Sequence, residues 1–120
     1  MSLASANLAL RFLLELAGLA AMAYWGWTTH GAPWRVVWAA GLPLAAGALW
    51  GALRVPGDPR DAPIAVPGPM RLLLEMAFFG AATWLLAAAG WPSLALILGA
   101  AVACHYLASY RRVAWLLAQR

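Results

Sequence analysis

The chain contains no lysine, a single cysteine and only four acidic residues among its 120. Charged side chains make up 10% of it, while 65% is hydrophobic. So little polar surface excludes a soluble domain of this size, and the class expected is membrane-embedded. Cys104 has no second cysteine to pair with, so no intrachain disulfide can form and redox compartment cannot be read from it. There is no phosphate-binding glycine loop, no hydrolase triad and no zinc spacing. Accordingly no enzyme activity, cofactor or metal is expected. A cleavable leader is not expected either. The first apolar run carries Arg11 and Glu15 near its start and ends in Tyr24-Trp25-Gly26-Trp27, with no small-residue cleavage pattern after it. All eight basic residues are arginine and the net charge is +4. These arginines sit at the ends of apolar runs, where they set topology, so the positive charge does not imply nucleic acid as a partner.

Four apolar stretches can be marked by their punctuation. Span 1 covers residues 8–28, with Ser5 or Asn7 as its helix cap. Thr29-His30-Gly31-Ala32 turns the chain, and Pro33 suits the first turn of span 2, which reaches Leu53. Span 3 begins at Pro69 and ends at Ala89, and after Gly90-Trp91-Pro92 span 4 runs from Ser93 to Tyr110. Beyond it the helix is expected to continue, carrying Arg111, Arg112 and Arg120 in water. Each span is about as long as a hydrocarbon core of ~30 Å requires at ~1.5 Å per residue. Apolar strands standing alone cannot satisfy their backbone in lipid, so the spans are helical. Residues 55–68 hold four prolines and two glycines, which argues against regular structure and for a polar connector outside the bilayer.

Arginine placement gives an orientation. Arg11, Arg54, Arg60, Arg71, Arg111, Arg112 and Arg120 fall on one side and only Arg35 on the other. The positive-inside rule then puts both termini and the connector in the cytoplasm, for a multi-pass protein of the bacterial inner membrane. Trp25, Trp27, Trp34 and Trp91 fall at the opposite interface, where indoles anchor.

The sequence also repeats itself. Arg11-Phe12-Leu13-Leu14-Glu15-Leu16-Ala17 returns sixty residues later as Arg71-Leu72-Leu73-Leu74-Glu75-Met76-Ala77. In the second helix of each half the offset is 58, aligning Gly41, Leu49 and Arg54 with Gly99, Leu107 and Arg112. Both halves therefore enter the membrane from the same side, which makes the repeat parallel. The fold class expected is an all-α integral membrane protein. Its four transmembrane helices form two parallel-repeat helical hairpins in one bundle. Residues 1–120 form one membrane domain, with repeat 1 over 8–54, the cytoplasmic connector over 55–68 and repeat 2 over 69–120.

The repeat nominates the site. Glu15 and Glu75 each lie one helical turn past an arginine, on its face and within its reach. Arg11 and Arg71 are explained by topology, since arginine at a helix start opposes the macrodipole. If the repeat axis brings spans 1 and 3 together, the two carboxylates meet and can hold a proton or a cation. The plainer reading is a set of Arg–Glu bridges that fix packing. His105 breaks the pseudo-symmetry. It either hydrogen-bonds to Tyr106, Tyr110 or the glutamates, or it titrates. Gly47 and Gly51 form a GxxxG pattern, and Gly99 with Ala103 repeats the spacing, which suits close helix packing within the bundle or between copies. Pro43 inside span 2 is expected to kink it. Asp58, Arg60 and Asp61 read as a solvated mixed-charge cluster in the connector.

Arg11 and Glu15, Trp50-Gly51, the connector with Ala62-Pro63, and Pro69-x-Arg71-Leu72-x-Leu74-Glu75 together resemble the YrdB-like family. These are small bacterial four-helix membrane proteins whose domain has no assigned function. The resemblance spans nearly the whole chain, implies the same architecture, and carries no catalytic residue across. Small multidrug-resistance transporters are similar in length and in an early acidic residue, but the second glutamate and the arginine bias set this chain apart. The function expected is the binding or transport of a small molecule or ion through Glu15 and Glu75, with Arg11, Arg71 and His105 beside them. The alternative is a non-catalytic accessory subunit packing through its small-residue faces. The partners expected are the lipid bilayer and a second copy or a small membrane protein.

Overall fold

The computed structural model describes residues 2–58 and 62–120. Five helices follow one another there: α1 Leu3–Thr28, α2 Trp34–Ala52, α3 Gly68–Ala88, α4 Pro92–Ala108 and α5 Tyr110–Ala118. Their boundaries lie close to the punctuation. Thr29 closes α1, Pro33 precedes α2, Pro69 stands in the first turn of α3 and Pro92 opens α4. The α3–α4 turn needs Gly90, whose φ of 99° is open to glycine and strained for other residues. The cap of α1 is neither Ser5 nor Asn7. Ser2 holds that place, its side chain accepting from the Ser5 amide, and Asn7 is used elsewhere.

Two of these helices, Ser5–Thr28 within α1 and Gly68–Ala88 as α3, are long and apolar enough to cross a membrane. A third is reached if α4 and α5 count as one span bent by 70°. That bend corrects the straight continuation expected through Tyr110. At Ser109 the amide donates to both the His105 and the Tyr106 carbonyl oxygens, at 2.9 and 3.2 Å, and the chain turns away. The reason lies in α5 itself. Arg112 and Leu116 share one face, and folding back buries Leu116 completely and brings Arg112 onto α3. The helix α2, which carries Arg35 and Pro43, is not among the helices long and apolar enough to cross a membrane. It nonetheless runs through Pro43 as one helix.

The connector is more ordered than its prolines suggest. Leu53–Arg54 and Ile64–Ala65 pair as two short parallel strands, β1 and β2, in register Leu53 with Ile64 and Arg54 with Ala65. This corrects the expectation of no regular structure, and it is possible because all four connector prolines lie outside the paired residues. Asp58 is buried rather than solvated. Arg60 and Asp61, the rest of the expected mixed-charge cluster, lie outside the described residues.

Packing centres on α1 and α3, with α2 against α1 and α4 against α3. The core joins Leu14, Ala21 and Met22 of α1 to Trp50, Phe78, Phe79, Ala82 and Leu98. Lipid tails are as apolar as leucine, so these contacts owe their worth to close fit rather than to escape from water. Two glycines show how close the fit is. A Cβ on Gly26 would come within 2.5 Å of the Ala39 amide nitrogen, and one on Gly18 within 2.8 Å of the Phe78 ring. The glycines singled out from the GxxxG pattern behave differently. Around Gly47 and Gly51 a Cβ would meet nothing within 4 Å, and Gly99 has only ordinary contact with Thr83. Ala103 is exposed. Close packing inside the chain thus falls at Gly18 and Gly26, and at Gly68 against Leu116, rather than at the GxxxG pair. Gly47, Gly51 and Ala103 look outward.

Candidate functional site: an arginine-enclosed carboxylate beside a cavity

Glu75 is the centre of the site. It sits on α3 one turn beyond Arg71, and neither side chain has any exposure. Its Oε1 accepts from the Tyr106 hydroxyl at 2.6 Å and from Arg112 Nη1 at 3.0 Å. Its Oε2 accepts from Arg71 Nε at 2.8 Å and from Arg11 Nη2 and Arg112 Nη2, both at 2.9 Å. Five donors therefore fill the roughly four lone-pair positions a carboxylate offers. Burying an ion costs several kcal/mol unless it is paired and bonded this fully. Arg71 is held in turn. Its Nη1 donates to the Trp50 and Leu53 carbonyl oxygens, and its guanidinium carbon lies 4.4 Å from the Trp50 ring centre.

Glu15 is in a different position despite the repeated motif. Its side chain is 20% exposed, and its Oε1 accepts from Arg11 Nε at 3.3 Å and from Trp50 Nε1 at 3.1 Å. A single guanidinium, that of Arg11, thus spans both glutamates. The two carboxylates do not meet each other directly; each is bonded by its own arginine, and Glu75 takes Arg11 and Arg112 besides Arg71. Arg112 extends the network to the connector, pairing with Asp58 at 2.7 Å. Arg11, Arg71 and Arg112 against Glu15, Glu75 and Asp58 make three charges of each sign, so the network is neutral.

His105 is almost fully buried in α4. Its Nδ1 lies 2.9 Å from the Asn7 side-chain oxygen, and the Asn7 amide donates to Ser109 Oγ at 2.6 Å. The expected partners Tyr106, Tyr110 and the glutamates are replaced by Asn7, although the Tyr106 ring packs edge-on against the imidazole. Three nitrogens of this site, His105 Nε2, Arg11 Nη1 and Arg71 Nη2, are buried without a hydrogen-bond partner among the described residues.

A cavity of about 1180 Å³ opens beside the network. Residues of α1, α4 and α5 and of the connector form its wall, among them Arg11, Glu15, His105, Asp58 and Arg112. The charged residues of the described lining are Arg11, Arg54, Arg111 and Arg112 with Glu15 and Asp58. Apolar surface from Leu8, Phe12 and Trp115 completes the wall. Glu75 itself lies behind it.

The sequence reading missed Arg112, Asp58, Trp50 and Tyr106 as members of this site. One signal did exist for Arg112, since the 58-residue offset pairs it with Arg54 and marks both. Nothing in the spacing, however, indicates that α5 folds back.

The family model described as a protein of unknown function (DUF2568) matches residues 9–103. The chain belongs to this family. Its matched residues take in Arg11, Glu15, Trp50, Asp58, Arg71 and Glu75, while His105 and α5 lie beyond them. Across a longer stretch the chain is similar to the uncharacterized protein YrdB of Bacillus subtilis (strain 168). The two are 32% identical over 116 residues, covering 94% of each chain. No solved structure matches. Family membership therefore agrees with the resemblance read from the Trp50–Glu75 stretch and assigns no activity.

Proposed function

We propose that this protein is a non-catalytic, multi-pass membrane protein that binds a small amphipathic molecule in the cavity between α1, α4, α5 and the connector. The observation that carries the reading is the saturation of Glu75. With five donors and three guanidiniums around it, this carboxylate has neither a lone pair nor a favourable potential for a further cation. The Arg–Glu network then serves as scaffold. It fixes α1, α3, α5 and the connector around the cavity, and binding is left to the cavity wall. On this reading α1 to α4 are four spans in two hairpins related by the parallel repeat. Both termini lie in the cytoplasm of a bacterium, and the cavity opens near the arginine-rich cytoplasmic face.

Native mass spectrometry of protein extracted gently from membranes tests this. Wild type is expected to carry a co-purifying molecule at one per chain. Ala108→Trp, which adds bulk at the cavity wall and replaces no network residue, is expected to weaken its retention. Wild type free of any such adduct would remove the reading.

A second reading is favoured by the glycines that look outward. Gly41, Gly47 and Gly51 leave open space along α2, and small residues four apart suit a second helix. On this reading the protein self-associates as an accessory subunit. Gly47→Leu/Gly51→Leu is expected to abolish crosslinked dimers in native membranes, and the monomer's thermal midpoint should stay within about 2 °C of wild type, as for a surface change of under ~0.5 kcal/mol. Undiminished dimers would end this second reading.

A further inference from the structure

The helix α5 has two faces, and packing within the chain accounts for only one of them. Arg112 and Leu116 turn inward onto Glu75, Asp58 and the start of α3. On the opposite face Tyr110, Ala114 and Leu117 are all exposed, Tyr110 by 62% and Leu117 by 47%. Their spacing of four and three residues makes them one continuous strip. Arg111 borders that strip, and Arg120 follows just beyond the helix; both are exposed. The outer face is thus itself divided, an aromatic and aliphatic strip lying beside cationic groups.

Neither of these two arginines has a carboxylate partner among the described residues. Glu15, Glu75 and Asp58 are taken by Arg11, Arg71 and Arg112. Arg111 has its neighbour Tyr110, whose hydroxyl accepts from its Nε at 3.4 Å and whose ring centre lies 5.9 Å away. Two exposed positive charges are therefore left for an anion outside the chain. The bend at Ser109 gives them a direction. If α4 crosses the bilayer along its normal, the membrane placement proposed above and the one on which this inference rests, a bend of 70° leaves α5 about 20° from the membrane plane. It starts where α4 ends, so it lies at the depth of the headgroups. At that depth tyrosine and leucine reach the acyl boundary while arginine reaches the phosphates. The cytoplasmic leaflet supplies the complementary negative potential.

We infer that the outer face of α5 docks on anionic lipid headgroups of the cytoplasmic leaflet, with Arg111 and Arg120 on the phosphates and Tyr110 and Leu117 at the acyl boundary. The same helix closes one side of the cavity through Tyr110, Arg111, Arg112 and Trp115. Arg112 and Leu116 hold it to the protein, and the headgroups hold it along the membrane. The closed position is the one that lies along the headgroups, so anionic lipid favours it.

Hydrogen exchange of the α5 amides tests this, with the full-length protein in nanodiscs of phosphatidylcholine or of an equal mixture of phosphatidylcholine and phosphatidylglycerol. Anionic lipid is expected to slow exchange across α5 by at least ~fivefold, about the worth of one basic residue near an anionic surface. Raised salt should shrink the difference. Arg111→Gln/Arg120→Gln is expected to lose the dependence on lipid charge while exchanging like wild type in phosphatidylcholine. Nitroxides at Ala114→Cys and Ala81→Cys, each in a Cys104→Ser background, report depth through relaxation by oxygen and by a water-soluble chelate. Ala114 is expected at headgroup depth, and Ala81, exposed in the middle of α3, within hydrocarbon. Equal exchange in the two bilayers would overturn the inference, as would a double variant that keeps the lipid dependence. Dipolar broadening at Ala114 would put a second copy on this face and overturn it likewise. Ala81 in water would overturn the membrane placement itself, whereas Ala81 in hydrocarbon with Ala114 in water would overturn only the docking of α5.

Discussion

Glu75→Gln is expected to lower stability by about 3–5 kcal/mol, while Glu15→Gln lowers it by about 1 kcal/mol or less. The substitution keeps the side chain's shape and removes one negative charge from beneath three guanidiniums, of which Arg71 has no other carboxylate partner among the described residues. Arg71, with no exposure, is left with carbonyl oxygens alone. Arg112 keeps Asp58, and Arg11 keeps Glu15. The glutamine amide would add two donors where five donors already converge. Removing one partner of a buried pair is far more damaging than the pair is stabilising, because an uncompensated ion remains in a poorly solvated place. Glu15 offers a contrast within the same motif. It is partly exposed, makes two bonds through one oxygen, and its removal leaves Arg11 bound to Glu75. Denaturant titration of both variants in the same detergent checks the ordering. Equal losses would mean that the two boxes are energetically equivalent, as the repeat alone suggests and the asymmetric burial denies.

This asymmetry marks the limit of what the sequence carried. Helix boundaries were legible because Pro33, Pro69, Pro92 and Gly90 punctuate apolar runs, and those signals act locally. The Arg–Glu boxes were legible as a site because charge at membrane depth is unusual. Their unequal environments were not, since local sequence around the two boxes is nearly identical. What separates them is Arg112 and Tyr106 arriving from α4 and α5 onto Glu75 and not onto Glu15. Arg112 arrives through the turn at Ser109, where neither proline nor glycine interrupts Leu107-Ala108-Ser109-Tyr110. The only local hint was a change of pattern, from the uniformly apolar α4 to an amphipathic α5. The glycines misled for a related reason. Spacing identifies which small residues share a helix face, and it does not say whether that face meets another helix. Gly18, outside any GxxxG pair, turned out to be a point of close approach, while Gly47 and Gly51 were not.

Gly68→Ala should release α5 and dismantle half of the network from a distance. A Cβ at residue 68 would stand 1.6 Å from the Leu116 carbonyl oxygen and 2.4 Å from its carbon, both backbone atoms that no side-chain rotation can move. The Gly68 amide also donates to the Gln119 carbonyl oxygen at 2.6 Å, so the two segments are joined where they are closest. Relief of the clash therefore requires α5 to lift off the start of α3. Leu116, now fully buried, would lose its contacts, and Arg112 would be drawn away from Glu75 and Asp58. Overpacking of this kind costs about 1–3 kcal/mol where the surroundings can shift, and a nine-residue helix joined to α4 by the turn at Ser109 can shift by opening. Trypsin reports the opening directly. Cleavage after Arg111 and Arg112 is expected to accelerate by roughly tenfold or more, equivalent to at least ~1.4 kcal/mol of lost closure. Arg112→Gln should give the same acceleration by removing the tether instead of the space, and combining the two changes should add little, since both act on one opening step. Unchanged proteolysis in Gly68→Ala would mean that α5 does not rest against Gly68, and the enclosure of Glu75 by Arg112 would fall with it.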